Sequence, residues 1–337
     1  MQSPITIAGT TIQPGTRKSI ELPISGFYTH TSASMPVHVI HGRRPGPCLL
    51  VCAAIHGDEI NGVEIIRRVL AHKTIKNLKG TLITIPIVNV FGFVSQSRYL
   101  PDRRDLNRSF PGSNKGSMAS RLANILMEEI VDKCSHIIDL HTGAVGRNNL
   151  PQIRARLEGD EETEAMARAF GVPVIINTEL RDGSLREAAR ELNIPVLLYE
   201  AGEALRFDDV AIRAGVRGVL GVMSHLGMRP KNKKKKPNNT VVSSTTQWVR
   251  GPESGIMRSK VPLGKWVSEG DVLAYINDPL GEIETEVTSP VYGIVIGKTN
   301  LPLVHEGDAI FHIAKYKEEE QITSYIEKYR NELSIND

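Results

Sequence analysis

From residue 47 onward, the apolar residues of this chain gather in short unbroken runs: CLLVCAAI (48–55), TLITIPIV (81–88), HIIDL (136–140), PVII (173–176) and PVLLY (195–199). Runs of this length without polar alternation are the mark of strands buried on both faces. Residues 1–45 instead alternate polar and apolar positions around Gly, Pro and Thr, which predicts short antiparallel strands. Between the runs the spacing turns helical. Residues 59–72 set Ile60, Val63, Ile66 and Leu70 on one face. Residues 117–134 open on Ser117 as an N-cap and repeat Met118, Leu122, Ile125 and Ile130. Residues 162–171 end on Gly171, a natural helix stop, and 184–194 read as a short polar helix. Strands alternating with helices predict an α/β sheet with helices on both faces. Ligands of such sheets bind beyond the carboxyl ends of the strands.

A second texture begins after residues 230–240, PKNKKKKPNNT, where five lysines fall within six positions and predict a solvated linker. Residues 241–317 are valine-rich and punctuated by glycine. They hold a weak repeat: Gly255-Ile256 precedes Glu269-Gly270-Asp271 as Gly293-Ile294 precedes Glu306-Gly307-Asp308. Two β units of one plan predict a small pseudo-symmetric barrel or sandwich. Residues 318–334 read as a charged amphipathic helix with Ile322, Tyr325, Ile326 and Tyr329 inward. The expected organisation is a β segment at 1–45, an α/β domain at 46–229, the linker at 230–240, the all-β unit at 241–317 and a C-terminal helix at 318–337.

Composition narrows the function classes. In 337 residues, 41 Lys and Arg against 38 Asp and Glu leave a net charge of +3, which offers no basic surface for nucleic acid. Three cysteines exclude a disulfide framework and point to a reducing, cytoplasmic setting. Cys48, Cys52 and Cys134 lack metal-binding spacing and read as core. The apolar stretch at 47–55 is short of a membrane span, and the first residues lack the plan of a signal peptide. The expected partner is a small-molecule anionic substrate, with no nucleic acid and no membrane; a homo-oligomer is left open.

The candidate chemistry lies at the ends of the apolar runs. The first ends in His56-Gly57-Asp58-Glu59, which puts His56 and Glu59 on one face at a helix start, within reach of one ion. HIIDL ends in His141, and two His with one Glu would leave a coordination position open for water. Asp139 is placed to support His141 from behind. PVLLY ends in Glu200, a candidate proton carrier, with Glu203 as its competitor. Residues 98–112 are dense in arginine, whose planar fork matches carboxylates.

Taken in order, HGDE (56–59), DLNRSFPG (105–112), DLHTG (139–143) and YEAGE (199–203) resemble the succinylglutamate desuccinylase/aspartoacylase family, of the zinc carboxypeptidase-like fold, over about residues 45–225. The resemblance implies one zinc per chain held by His56, Glu59 and His141. It implies Glu200 as general base and acid, and Asn107 and Arg108 as holders of a substrate carboxylate. It also implies an arginine that polarises the scissile carbonyl; Arg98 fits best, with Arg103 and Arg104 as alternatives. Residues 241–317 resemble biotinyl and lipoyl carrier domains but lack lysine between Trp266 and Gly297, which implies a structural or access-controlling unit rather than a carrier. The implied activity is zinc-dependent hydrolysis of the amide of an N-acylated amino acid or related small carboxylate. A carboxypeptidase with the same metal site and a non-catalytic binding protein on the same scaffold are the rivals.

Overall fold

A computed structural model describes residues 2–26, 31–230, 240–316 and 322–334. The lysine-rich linker therefore lies largely outside the described residues, as does the side chain of Ile322. The apolar runs form the strands Cys48–Ala53, Thr81–Ile85, His136–Gly143, Val174–Asn177 and Val196–Glu203. Alternate side chains of Cys48–Ala53 go to opposite cores. Leu49, Val51 and Ala53 pack with the helices Asn61–Ala71, Glu161–Phe170, Asp209–His225 and Ile322–Ser334. Leu50 and Cys52 pack with Met118–Glu129 and Leu185–Glu191. Burial on both sides explains why the runs carry no polar alternation.

These strands belong to one mixed sheet. Its order is Thr246–Arg250, Ala309–Lys315, Gly293–Thr299, Arg147–Ala155, Val196–Glu203, His136–Gly143, Cys48–Ala53, Thr81–Ile85, Ser32–His41 and Thr16–Gly26. Val196–Glu203, His136–Gly143 and Cys48–Ala53 run parallel, so their carboxyl ends meet at one edge. The N-terminal strands pair antiparallel as the alternation predicts. Among the described residues no helix is long and apolar enough to cross a membrane.

Two expectations need correction. The helix Asn61–Ala71 buries Gly62, Ile65, Ile66 and Val69 rather than the Ile60, Val63, Ile66, Leu70 stripe. The reason is Gly62, where a Cβ would stand 2.6 Å from Ala53 Cβ and 2.9 Å from Leu140 Cβ, so the helix seats on its glycine side. The helix opening at Ser117 ends at Glu129 rather than near residue 134, and Val131–Lys133 follows as a separate 3₁₀ turn. Two further elements carry no clear pattern in the sequence: the strand Arg147–Ala155, polar and holding Pro151, and the helix Asp209–His225, whose glycines dilute the periodicity.

The repeat after residue 240 is structural. Gly255 and Gly293 each begin a strand, and Gly270 and Gly307 occupy equivalent turns at φ +88° and +84°. In both turns the following aspartate accepts a backbone N–H, Ser268 to Asp271 at 2.8 Å and His305 to Asp308 at 2.9 Å. One part of this region forms a four-stranded sheet, Glu284–Thr288, Val272–Asn277, Gly255–Ser259 and Leu303–Val304. The rest extends the large sheet: Gly293–Thr299 pairs with Arg147–Ala155.

Candidate active site

His56 and Glu59 leave the end of Cys48–Ala53 through the bend before the helix Asn61–Ala71, and His141 lies near the end of His136–Gly143. All three are buried, and one ligand atom from each falls within 4.8 Å of the others. His56 Nδ1 and His141 Nδ1 each stand 2.7 Å from a different oxygen of Glu59. The outer nitrogens are anchored as well. His141 Nε2 is 2.8 Å from Asp139 Oδ2, and His56 Nε2 is 3.0 Å from Asp105 Oδ1. Two imidazoles and a carboxylate aimed at one point, each imidazole backed by its own carboxylate, fit a divalent metal such as zinc.

The electrostatics agree with that donor set. Burial alone would raise the Glu59 carboxyl, yet the two imidazoles hold it well below the usual carboxylate range. Burial works against charge on His141, but Asp139 and Glu59 outweigh it and raise the imidazole well above its ordinary value. Carboxylates thus surround the nitrogens, and a bound cation would complete the charge balance.

The His56, Glu59 and His141 cluster opens into a cavity of 240 Å³ lined by Arg98, Asn107, Arg108, Arg147, Asn149, Arg154, Arg181, Arg186, Glu200 and Trp248. Glu200 is the register neighbour of His141 on the adjacent parallel strand. Its Oε2 accepts from Asn149 Nδ2 at 2.6 Å, and its Oε1 is 3.5 Å from Arg154 Nε. Glu203 is engaged elsewhere: its oxygens accept from Gly146 N–H at 2.9 Å and Asn300 Nδ2 at 2.8 Å. Arg98 donates to Glu59 at 3.2 Å and to Asp105 at 3.0 Å. Arg103 and Arg104 are exposed and do not line the cavity. Asn107 is buried and lines the cavity, and its Oδ1 accepts from Leu185 N–H at 3.0 Å. Arg108 is exposed at the rim and donates one N–H to the Asn107 carbonyl.

Several groups here gave no signal in the sequence. Asp105 was visible only as part of a motif, not as the partner of His56. Arg186 is 6% exposed, and its Nε and Nη1 make no hydrogen bond among the described residues. Burial, then the neighbouring Arg154, lower its pKa to about 10. Trp248 comes from the C-terminal unit, stacked on His312 with ring centroids 4.0 Å apart and covered by Arg147 at 5.2 Å. Asn149 and Arg154 sit on the strand that was not expected. Nothing local marks these residues; only the fold brings them to Glu200.

Comparison with known proteins identifies the family. Residues 45–226 match the succinylglutamate desuccinylase/aspartoacylase catalytic domain. The chain is 26% identical over 313 residues to the N-alpha-acetyl-L-2,4-diaminobutyric acid deacetylase of Halomonas elongata, covering 89% of this chain and 91% of that protein. Its fold matches the product-bound ectoine utilization protein EutE (DoeB) of Ruegeria pomeroyi at a TM-score of 0.81 and 24% identity, over 93% of this chain and 98% of the other. It also matches a succinylglutamate desuccinylase/aspartoacylase of Rhodobacter sphaeroides at a TM-score of 0.79 and 23% identity, over 90% and 96%. Since the catalytic match spans more than half of the chain, this protein belongs to the succinylglutamate desuccinylase/aspartoacylase family.

Proposed function

We propose that the protein is a zinc-dependent amidohydrolase that deacylates a small N-acylated amino acid or related carboxylate. The observation that carries this reading is the convergence of His56, Glu59 and His141 beside Glu200 in one cavity. Family membership supports the reaction class, and a relative named as the deacetylase of an N-acetylated diamino acid supports the substrate class.

His56 and His141 would hold the ion through Nδ1 and Glu59 through its carboxylate, with Asp105 and Asp139 fixing the imidazoles. Bound there, zinc supplies Lewis acidity to the scissile carbonyl and to a water beside it. Glu200 takes the proton of the attacking water and returns it to the leaving nitrogen, one carboxylate acting first as base and then as acid. Arg98, already held in the cavity by Glu59 and Asp105, faces the oxygen on which negative charge develops. Arg108 and the Asn107 amide hold the substrate carboxylate and so orient the amide before attack. The six arginines of the cavity wall favour an anionic substrate. Trp248, reaching the cavity from the C-terminal unit, supports an access-controlling role for that unit.

A carboxypeptidase would use the same centre, so substrate decides between them. Zinc-loaded protein incubated with a panel of N-acetyl and N-succinyl amino acids and with dipeptides, with released amine measured, should turn over acylated amino acids. Hydrolysis confined to dipeptides would replace the deacylase reading with the carboxypeptidase one.

A further inference from the structure

We infer that Asn149 is a positioning residue for Glu200, and that the C-terminal strand Gly293–Thr299 sets it there by omitting a side chain at Gly297. The inference rests on the reading of Glu200 as the proton carrier and adds the device that aims it.

The strand Arg147–Ala155 lies between Val196–Glu203 and Gly293–Thr299. From its far end the pairing is regular: Arg154 faces Leu198 and Gln152 faces Glu200. Then the register slips, and Gly202 faces Asn149, so two steps on one strand meet three on the other. Pro151 sits in the slip, where the missing N–H costs the ladder least. Regular alternation would turn Leu150 toward the cavity. The bulge instead packs Leu150 with Trp266, Ile294 and Ile296 and gives the cavity face to Asn149 and Arg147. Asn149 thereby donates to Glu200 Oε2 at 2.6 Å, a charge-assisted contact that selects one carboxylate orientation.

Behind Asn149 stands its register partner, Gly297. The φ of Gly297 lies outside the left-handed region, so backbone conformation does not call for glycine there. Space does. A Cβ at residue 297 would stand 2.8 Å from Asn149 Oδ1, 3.3 Å from His312 Cβ and 3.8 Å from the Asn148 carbonyl oxygen. The Asn149 amide is the group most able to give way, and moving it breaks the donation to Glu200. The C-terminal unit therefore reaches the proton carrier through two residues, Gly297 and Asn149.

A double-mutant cycle on the full-length, zinc-loaded protein tests this. Asn149→Ala should lower kcat at least about tenfold with KM within about twofold, the signature of lost orientation rather than lost binding. Gly297→Ala should do the same. In the Asn149→Ala background, where no Oδ1 remains to be struck, Gly297→Ala should change kcat by less than about twofold. Losses that multiply, or an Asn149→Ala enzyme with full kcat, would overturn the inference. Asn149→Asp keeps the side-chain shape, removes the donor and adds a like charge, so it should be slower still; a wild-type rate there also overturns it, even if Gly297→Ala folds poorly. Glu200→Gln separates the two claims. If it stays active, the reading of Glu200 is wrong; if it is inactive while the Asn149 variants turn over normally, only the positioning claim fails.

Discussion

Asp139 and His141, two residues apart on one strand, point to the same face, and Asp139 Oδ2 meets His141 Nε2 at 2.8 Å. The period of two in a β-strand makes this pairing local, so a single strand supplies both the candidate ligand and its support. Asp139 is fully buried, which leaves the imidazole little freedom to turn. Asp139→Asn should retain the fold and lower zinc affinity about 10–100-fold, read by competition with a chromophoric chelator. Unchanged affinity would mean that packing alone orients His141.

Glu203 and Glu200 make different contacts. The Glu203 carboxylate ties the loop at Gly146 to Asn300 of the C-terminal unit, so it acts as a structural brace. Glu203→Gln should destabilise by about 1–3 kcal/mol, seen as a lower Tm, and reduce turnover less than about tenfold. A loss of turnover larger than that of Glu200→Gln would move the proton-carrying role to Glu203.

What the sequence reveals and what it hides follow from where each side chain gets its partners. The five apolar runs are legible because both faces of each strand are buried, and His56, Glu59, His141 and Glu200 are legible because they end or follow such runs. Arg147–Ala155 is not, because its polar residues serve the cavity and its alternation is interrupted at Pro151. The helix Asp209–His225 is obscured by Gly215 and Gly218, which are small so that Ile65 and Phe170 can pack against them. Asn149, Arg186 and Trp248 depend on neighbours 51, 32 or 64 positions away, such as Glu200 for Asn149, Arg154 for Arg186 and His312 for Trp248, and no local pattern encodes such separations.

Gly62 sets how closely the helix carrying on from Glu59 approaches the sheet, with Cβ space blocked by Ala53 and Leu140. Gly62→Val should cost about 1–3 kcal/mol through overpacking. Because Leu140 precedes His141, the same variant should also bind zinc more weakly. Chemical denaturation together with metal titration checks both; an unchanged midpoint would show that the helix has room to shift.

Arg186 is a buried cation near the charges of Glu200 and Asp139, and two of its nitrogens make no hydrogen bond among the described residues, so a ligand carboxylate would supply the missing partner. Arg186→Met should leave the Tm of ligand-free protein unchanged or higher and raise KM for carboxylate substrates at least about tenfold. A lower Tm with unaltered KM would assign Arg186 to structure instead.

Steady-state release of amine from an N-acetylated amino acid by Glu200→Gln, at a zinc content equal to that of wild type, tests the central claim most directly. Glu200 neighbours His141 in register without belonging to the His56, Glu59, His141 cluster, so its loss should spare the metal and remove the proton carrier. The account predicts full zinc occupancy with kcat/KM reduced at least about 10²-fold. A zinc-replete Glu200→Gln enzyme that releases amine at the wild-type rate would contradict it.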